Sequence, residues 1–266
     1  MRTTNSERMK DMKASQHLVT SNLEEKMKLF TQAVSGQIIE EAHFVIANTN
    51  IPTDTFNLLV VKSPMIHKEN HLKQRINHFI VNKLPFSTWV DANYLSDDWL
   101  QLIKDCNLQE AERNMMMKLD HTLRTGPRIS NHLTITEVSN KEELLQYKEV
   151  FLSLFGETAE RDALETYFHK FSQEKLASNA RMFIGCLKEI PIATGLLIDS
   201  KHSYGIYDVM TKDAYRGKGY GSEMFQFLLS QTIDKQKPVV LQASEDGKNI
   251  YKRFGFKEVG EMIVFE

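Results

Sequence analysis

The sequence predicts an α/β protein, of the α+β kind, built from two similar halves in tandem. Three observations carry this. Strand-like and helix-like runs alternate through the second half. Ten of the twelve glycines fall after residue 131, so the sharp turns concentrate there. The apolar pattern of the second half recurs in the first at an offset of about 148 residues.

Taken in order, Met1 to Thr20 is polar, mixed in charge and without the apolar core of a signal peptide, and reads as a mobile tail or weak helix. Residues 21–120 form the first domain. Residues 121–130, with Gly126-Pro127 among polar residues, read as a linker, and residues 131–266 as the second domain. Within it, Leu133 to Val138 alternates like a half-buried strand, and Lys141 to Phe155 and Glu157 to Leu176 look helical. Strands are expected at Arg181 to Leu187, Ile192 to Ile198, Tyr204 to Thr211, Pro238 to Ala243 and Phe256 to Phe265, with a turn at Glu189-Ile-Pro191. A helix from Lys218 to Asp234 places Tyr220, Met224, Phe227 and Leu228 on one face. Another runs from Asp246 to Phe254 and ends on Gly255 as its cap.

At the 148-residue offset that helical face falls on Leu72, Ile76, Phe79 and Ile80, and the strand Tyr204 to Thr211 on Phe56 to Ser63. Gly255 falls on Asn107, the next-best residue for a left-handed cap. Phe86, Trp89, Tyr94 and Trp99 read as core of the first domain rather than a substrate cage.

Hydrophobic residues make up 41% and charged residues 26%, with a formal charge of -2. That is the balance of a soluble globular chain, without the basic excess of a nucleic-acid binder. No apolar run is long enough to span a membrane. Cys106 and Cys186 lack metal-ligand spacing and read as reduced thiols of a cytoplasmic protein. His67 and His71 have a chelating spacing but no third ligand nearby, so no metal is expected.

Asp208-Val-Met-Thr-Lys-Asp-Ala-Tyr-Arg216-Gly-Lys-Gly-Tyr-Gly221-Ser222 carries the chemistry. A strand leads into a loop with Gly217, Gly219 and Gly221, which opens a helix. Backbone N–H groups there converge on one point, the helix terminus adds about half a positive charge, and Arg216 and Lys218 add two more charges. Such a loop suits a pyrophosphate. Its spacing is neither that of a P-loop nor G-x-G-x-x-G.

Arg216-Gly-Lys-Gly219-Tyr-Gly221 resembles the R/Q-x-x-G-x-G/A signature of the GNAT superfamily of N-acetyltransferases. Val239 to Phe256, ending in Tyr251-Lys-Arg-Phe-Gly-Phe256, is similar to that family's later strand–helix element. The resemblance covers residues 131–266 and reaches the first half only through the repeat. It implies two GNAT-like domains, each a twisted, mixed, mostly antiparallel sheet flanked by helices, and a cleft between Tyr204 to Thr211 and Pro238 to Ser244 that takes acetyl-CoA. It implies that Val209 and Thr211, with Met210 between them, line the pantetheine arm, and that the amides of Gly217, Lys218, Gly219, Tyr220, Gly221 and Ser222 hold the pyrophosphate beside Arg216. A backbone N–H near Val209 would polarise the thioester carbonyl, and the Tyr251 phenol would protonate the departing thiolate.

The sequence departs from the family pattern at Ser244, where asparagine is frequent, and at Gly247, where alanine is usual. Ser244 keeps one hydrogen bond for the cofactor arm. Asp208 and Glu245 lie near the expected cleft, and neither is singled out as a base. At the loop's counterpart the first half has Lys68-Glu-Asn-His-Leu-Lys73, without glycine, and Ile103 stands in place of Tyr251. The first domain therefore reads as a degenerate copy. The expected activity is acetyl transfer to a primary amine by direct attack. The alternatives are a non-catalytic acyl-CoA-binding module, or a protein lysine or N-terminus as acceptor in place of a small amine.

Overall fold

A computed structural model describes residues 5–64, 69–120, 132–172, 174, 176–232, 236–245 and 247–266. The linker expected at 121–130 and His67 lie outside them. Helix α1 (Asn5–Ala33) opens the chain. It is followed by strands β1 (Gln37–Glu40), β2 (Phe44–Asn48) and β3 (Leu58–Val61), helix α2 (Glu69–Val81), β4 (Ser87–Asp91), α3 (Asp97–Asp105) and β5 (Glu110–Leu119). The second half runs β6 (Thr134–Glu137), α4 (Lys141–Leu152), α5 (Ala159–Lys170), β7 (Ala180–Leu187), β8 (Ile190–Asp199) and β9 (Tyr204–Thr211). Helix α6 (Tyr220–Ser230), β10 (Val239–Ala243), α7 (Lys248–Arg253) and β11 (Lys257–Phe265) complete it.

Local chemistry sets the boundaries. The side chains of Ser96, Asn140 and Thr158 accept from the amides of Trp99, Glu143 and Arg161, fixing the starts of α3, α4 and α5. The turn between β7 and β8 falls on Lys188 and Glu189, both at positive φ, so Ile190 and Pro191 belong to the strand rather than the turn. Asn107 (φ 55°) and Gly255 (φ 90°) both take the left-handed cap conformation. Leu108 N–H donates to Ile103 C=O, and Phe256 N–H donates to Tyr251 C=O. These matched caps, 148 residues apart, put the two halves in the register read from the sequence.

The halves do not keep separate sheets. All eleven strands form one sheet in the order β1-β2-β3-β4-β11-β5-β10-β9-β8-β7-β6. β5 of the first half lies between β10 and β11 of the second, and β11 lies between β4 and β5. Each half thus completes the other by exchanging its last strand, about a pseudo-twofold axis between β5 and β11. The exchange makes the halves one cooperative body, since neither sheet is continuous without its neighbour's strand.

One face of the sheet is covered by α1, α4 and α5, around Val19, Leu23, Phe30, Tyr147, Phe151 and Tyr167. On the other face α6 and α7 cover the second half through Met224, Phe225, Leu228 and Phe254. There α2 and α3 cover the first half through Leu72, Ile76, Phe79 and Trp99. Ile80, expected on the buried face of α2, is exposed. The segment read as a tail is mostly helical: α1 begins at Asn5, and Ser15, Gln16 and Val19 are already buried. Its first turns, with Met9 and Met12 exposed, carry no apolar stripe, so periodicity gave no helical signal there. No described helix is long and apolar enough to cross a membrane.

The contact between the halves carries a pH-sensitive group. Burial, then the nearby carboxylates of Glu160 and Glu266, push the Asp54 carboxyl from 3.8 up to about 6. The folded state therefore holds this proton more tightly than the unfolded state, so ionisation above pH 6 costs stability. Asp54→Asn is expected to raise stability at pH 7.5 by on the order of 1 kcal/mol, after allowing for partial exposure, and to raise Tm with it. The gain should fade as pH falls through 6 towards 4, which melting curves across that range would check. A gain independent of pH would contradict the assignment.

Candidate active site

Strands β9 and β10 are parallel neighbours, but they pair only at Tyr204–Val239 and Gly205–Val240. Beyond that point the two strands diverge, leaving the β10-facing edge of Ile206 to Thr211 without a paired strand among the described residues. In the first half the corresponding pair β3 and β4 stays in register over three residues, Leu58 to Val60. The opening is thus specific to the second half.

A bulge lies on the unpaired stretch of β9, three residues beyond its last pair with β10. Thr194 pairs with Met210 and Leu196 with Tyr207, so Asp208 and Val209 together face Gly195. Asp208 takes φ 50°, a left-handed conformation that costs a non-glycine residue about 1 kcal/mol or more. The Thr194 hydroxyl donates to the Asp208 carbonyl at 2.8 Å and helps hold it. Val209 packs with the core on the α6 face and Met210 with the core on the α1 face, so β9 presents both sides of its splayed edge.

At the far end of β9 the glycine loop turns into α6. Gly217 (φ 73°) and Gly219 (φ 90°) are both left-handed, and a Cβ at either would meet nothing within 4 Å. Open space over a positive-φ backbone is what a phosphate group needs to reach the amides. Gly219 is the N-cap of α6 and supplies no side-chain cap, so no side chain competes for the leading N–H groups near Tyr220, Gly221 and Ser222. A Cβ at Gly221 would sit 3.2 Å from the Thr211 hydroxyl, tying the helix start to the strand end. The two cations brace the loop. Arg216 Nε–H donates to the Thr211 carbonyl at 3.1 Å, and its guanidinium pairs with Asp213 at 3.1 Å. Lys218 Nζ donates to the Ala214 carbonyl at 2.9 Å. These residues fit a diphosphate-bearing acyl carrier.

Tyr251 projects from α7 against Phe225, with ring centroids 4.8 Å apart. Burial raises its phenol above the ordinary value, keeping it protonated at neutral pH. A Cβ at Gly247 would come 3.4 Å from the Tyr251 ring and 3.3 Å from the Ser244 hydroxyl, so glycine there lets the tyrosine lie close. Ser244 is exposed, and its hydroxyl accepts from Gly247 N–H at 3.3 Å, so it caps the turn before α7. Its own proton stays free to donate. Glu245 is exposed and paired with Lys248 at 2.5 Å.

Asp208 differs from Glu245. Its carboxylate accepts from Lys26 Nζ at 2.8 Å and from the Tyr147 hydroxyl at 3.4 Å. Lys26 Nζ also lies 4.8 Å from the centre of the Tyr207 ring. Lys26 belongs to α1, and neither it nor Tyr147 was singled out in the sequence. The contact spans 182 residues, which no local pattern records.

Among the described residues the first half shows no counterpart. Ile103 is buried in its core. Its cleft of about 420 Å³ lies between α2 and the strands β1 and β2, lined by Ile39, Asn48, His71, Arg75, His78 and Phe79. His71 faces Glu41 at 3.4 Å, and no group of three metal-ligating side chains occurs among the described residues. Phe86 and Trp99 are buried core.

Residues 143–266 match the family model described as an acetyltransferase (GNAT) domain. No curated protein matches the sequence. A solved structure described as a GCN5-related N-acetyltransferase from Kribbella flavida is similar, with TM-score 0.64 and 13% identity over 91% of this chain and 93% of that one. A functionally unknown conserved protein from Staphylococcus epidermidis ATCC 12228 gives 0.65 and 15% identity, covering 87% and 94%. A tandem GNAT protein from the clavulanic acid biosynthesis pathway gives 0.54 and 8% identity, covering 84% and 77%. At these identities the likeness is one of fold, and it extends over both halves. Residues 143–266, which hold the split sheet and the uncapped glycine turn, thus match a GNAT acetyltransferase domain, and the chain as a whole shares the fold of the solved GNAT structures.

Proposed function

We propose that the protein is an acetyl-CoA-dependent N-acetyltransferase with one working site in the second half and a degenerate first domain. The single observation that carries this reading is the uncapped, left-handed glycine start of α6 beside a sheet split that begins after Gly205. In this reading the amides from Gly217 to Ser222 hold the diphosphate, with Arg216 bracing the loop and adding charge. Val209, Met210 and Thr211 line the acyl arm, and Ser244 donates its hydroxyl proton to it. A backbone N–H at the Val209 bulge stabilises the oxyanion of the attacked thioester.

An acceptor amine, with an ordinary pKa of about 10, must lose a proton before attack. Asp208 is the carboxylate nearest the bulge and buried enough to take part, whereas Glu245 is solvated. The leaving thiolate takes its proton from Tyr251, whose raised pKa keeps that proton available at neutral pH. Residues 21–120 then act as a scaffold: β5 completes the sheet beside β10, and α1 covers the face from which an amine approaches.

Tyr251→Phe tests the reading. Thiol release with a panel of primary amines is expected to fall about 100-fold while acetyl-CoA affinity, measured by calorimetry, stays within a factor of about three. Binding without turnover by the wild-type chain on any amine would favour the acyl-CoA-binding module instead.

A further inference from the structure

We propose that Lys26 is itself an acetyl acceptor: the protein acetylates this lysine of its own N-terminal helix at the Asp208 bulge. The inference rests on the reading of the second half as an acetyltransferase and goes beyond it by naming an acceptor.

Four observations place a primary amine where an acceptor amine is needed. Asp208 is strained at φ 50° in the bulge on the edge of β9 that has already parted from β10, and it immediately precedes Val209. The diphosphate cradle sits at the start of α6, on one face of the sheet, so an acceptor must come from the other face. That other face is where α1 lies, delivering Lys26 Nζ to 2.8 Å from Asp208 Oδ1. The surroundings form a closed cation box: the Tyr207 ring lies 4.8 Å from Nζ, the Tyr147 hydroxyl is 3.4 Å from Asp208 Oδ2, and the two charged side chains are 18% and 10% exposed. A structural surface ion pair would need none of the strain and none of the burial, and it would add little stability.

The helix is held there firmly. Asn22, one turn before Lys26, donates to the Ser200 and Ser203 hydroxyls and to the Ser203 carbonyl, and accepts from the Tyr207 hydroxyl at 3.0 Å. Nζ therefore stays at the bulge without the entropy cost of a free amine arriving from solution.

The reaction balances. Lys26 ammonium gives one proton to Asp208, and the neutral amine attacks the thioester carbon. The C–S bond breaks as the N–C amide bond forms. The second nitrogen proton ends on the sulfur through the Tyr251 phenol, and the first leaves to solvent. Acetyl-CoA and Lys26 become the CoA thiol and Nε-acetyl-Lys26. The product is neutral, so the ion pair with Asp208 is lost and its carboxylate is released.

The test incubates the full-length chain with acetyl-CoA and maps acetylated peptides by mass spectrometry over time. Calorimetry on the same preparation measures acetyl-CoA binding. Acetylation at Lys26 is expected to run roughly 100-fold faster than at the exposed Lys13 and Lys201, and to slow about as much in Tyr251→Phe. If acetyl-CoA binds but Lys26 gains its acetyl group no faster than those two lysines, the proposal is overturned while the enzyme reading stands. If acetyl-CoA does not bind, both fall. A second readout needs no acetyl-CoA. Propylammonium, the chemical equivalent of the part of the side chain removed, should raise the Tm of Lys26→Ala and leave the wild-type Tm unchanged; equal shifts in both would also overturn the proposal.

Discussion

Gly205→Ala is expected to destabilise the protein by about 3 kcal/mol, the largest single-residue effect outside the deep core. A Cβ at Gly205 would stand 1.8 Å from Asn22 Oδ1 and 2.4 Å from the Tyr207 ring. Asn22 is fully buried and cannot swing away without breaking its bonds to Ser200, Ser203 and Tyr207. The clash must therefore lift α1 from the sheet or distort β9 just before the split. Each buried polar partner left unsatisfied adds roughly 1–3 kcal/mol of its own. Thermal melts should show Tm lower by about 6 °C or more. Removing the obstacle should recover part of the loss: Asn22→Ala in the Gly205→Ala background is expected to be less harmful than the two single changes predict. Strict additivity would mean that the close approach of α1 to β9 is not what Gly205 permits.

Gly219→Ala should separate binding from stability. Nothing lies within 4 Å of the added Cβ, so the folded protein meets only the cost of φ 90° in an alanine, about 1–2 kcal/mol. The same Cβ would project into the open space beside the turn, through which the diphosphate has to approach. Losing one or two charge-assisted hydrogen bonds there costs about 1.5–3 kcal/mol each. Affinity for acetyl-CoA should therefore fall by about 10-fold to 1,000-fold, with Tm lowered by only a few degrees. Unchanged affinity would place the diphosphate somewhere other than this turn.

Much of the second half was legible because its signals are local. A left-handed cap after an amphipathic helix needs only a glycine or asparagine at one position, and both Gly255 and Asn107 take that conformation. The strand Tyr204 to Thr211 has the bounds expected. The glycine loop was readable for the same reason, since its strand, turn and helix are consecutive in the chain. What stayed hidden is set by partners far away in sequence. The sequence reading names the last strand, β11, but has no strand at β5, and nothing local says that each lies beside the other half's strands. The side chain on Asp208 gave no sign of its left-handed backbone, which the extra residue in β9 opposite Gly195 imposes. Lys26 lies in a helix with little apolar periodicity, and only tertiary packing brings it to the split.

Titration of the wild-type chain with acetyl-CoA in a calorimeter tests the central claim most directly. The account predicts saturable binding in the micromolar range with one site per chain, because among the described residues only the second half has an uncapped glycine turn beside a split sheet. Absence of binding, or two equivalent sites per chain, would contradict it.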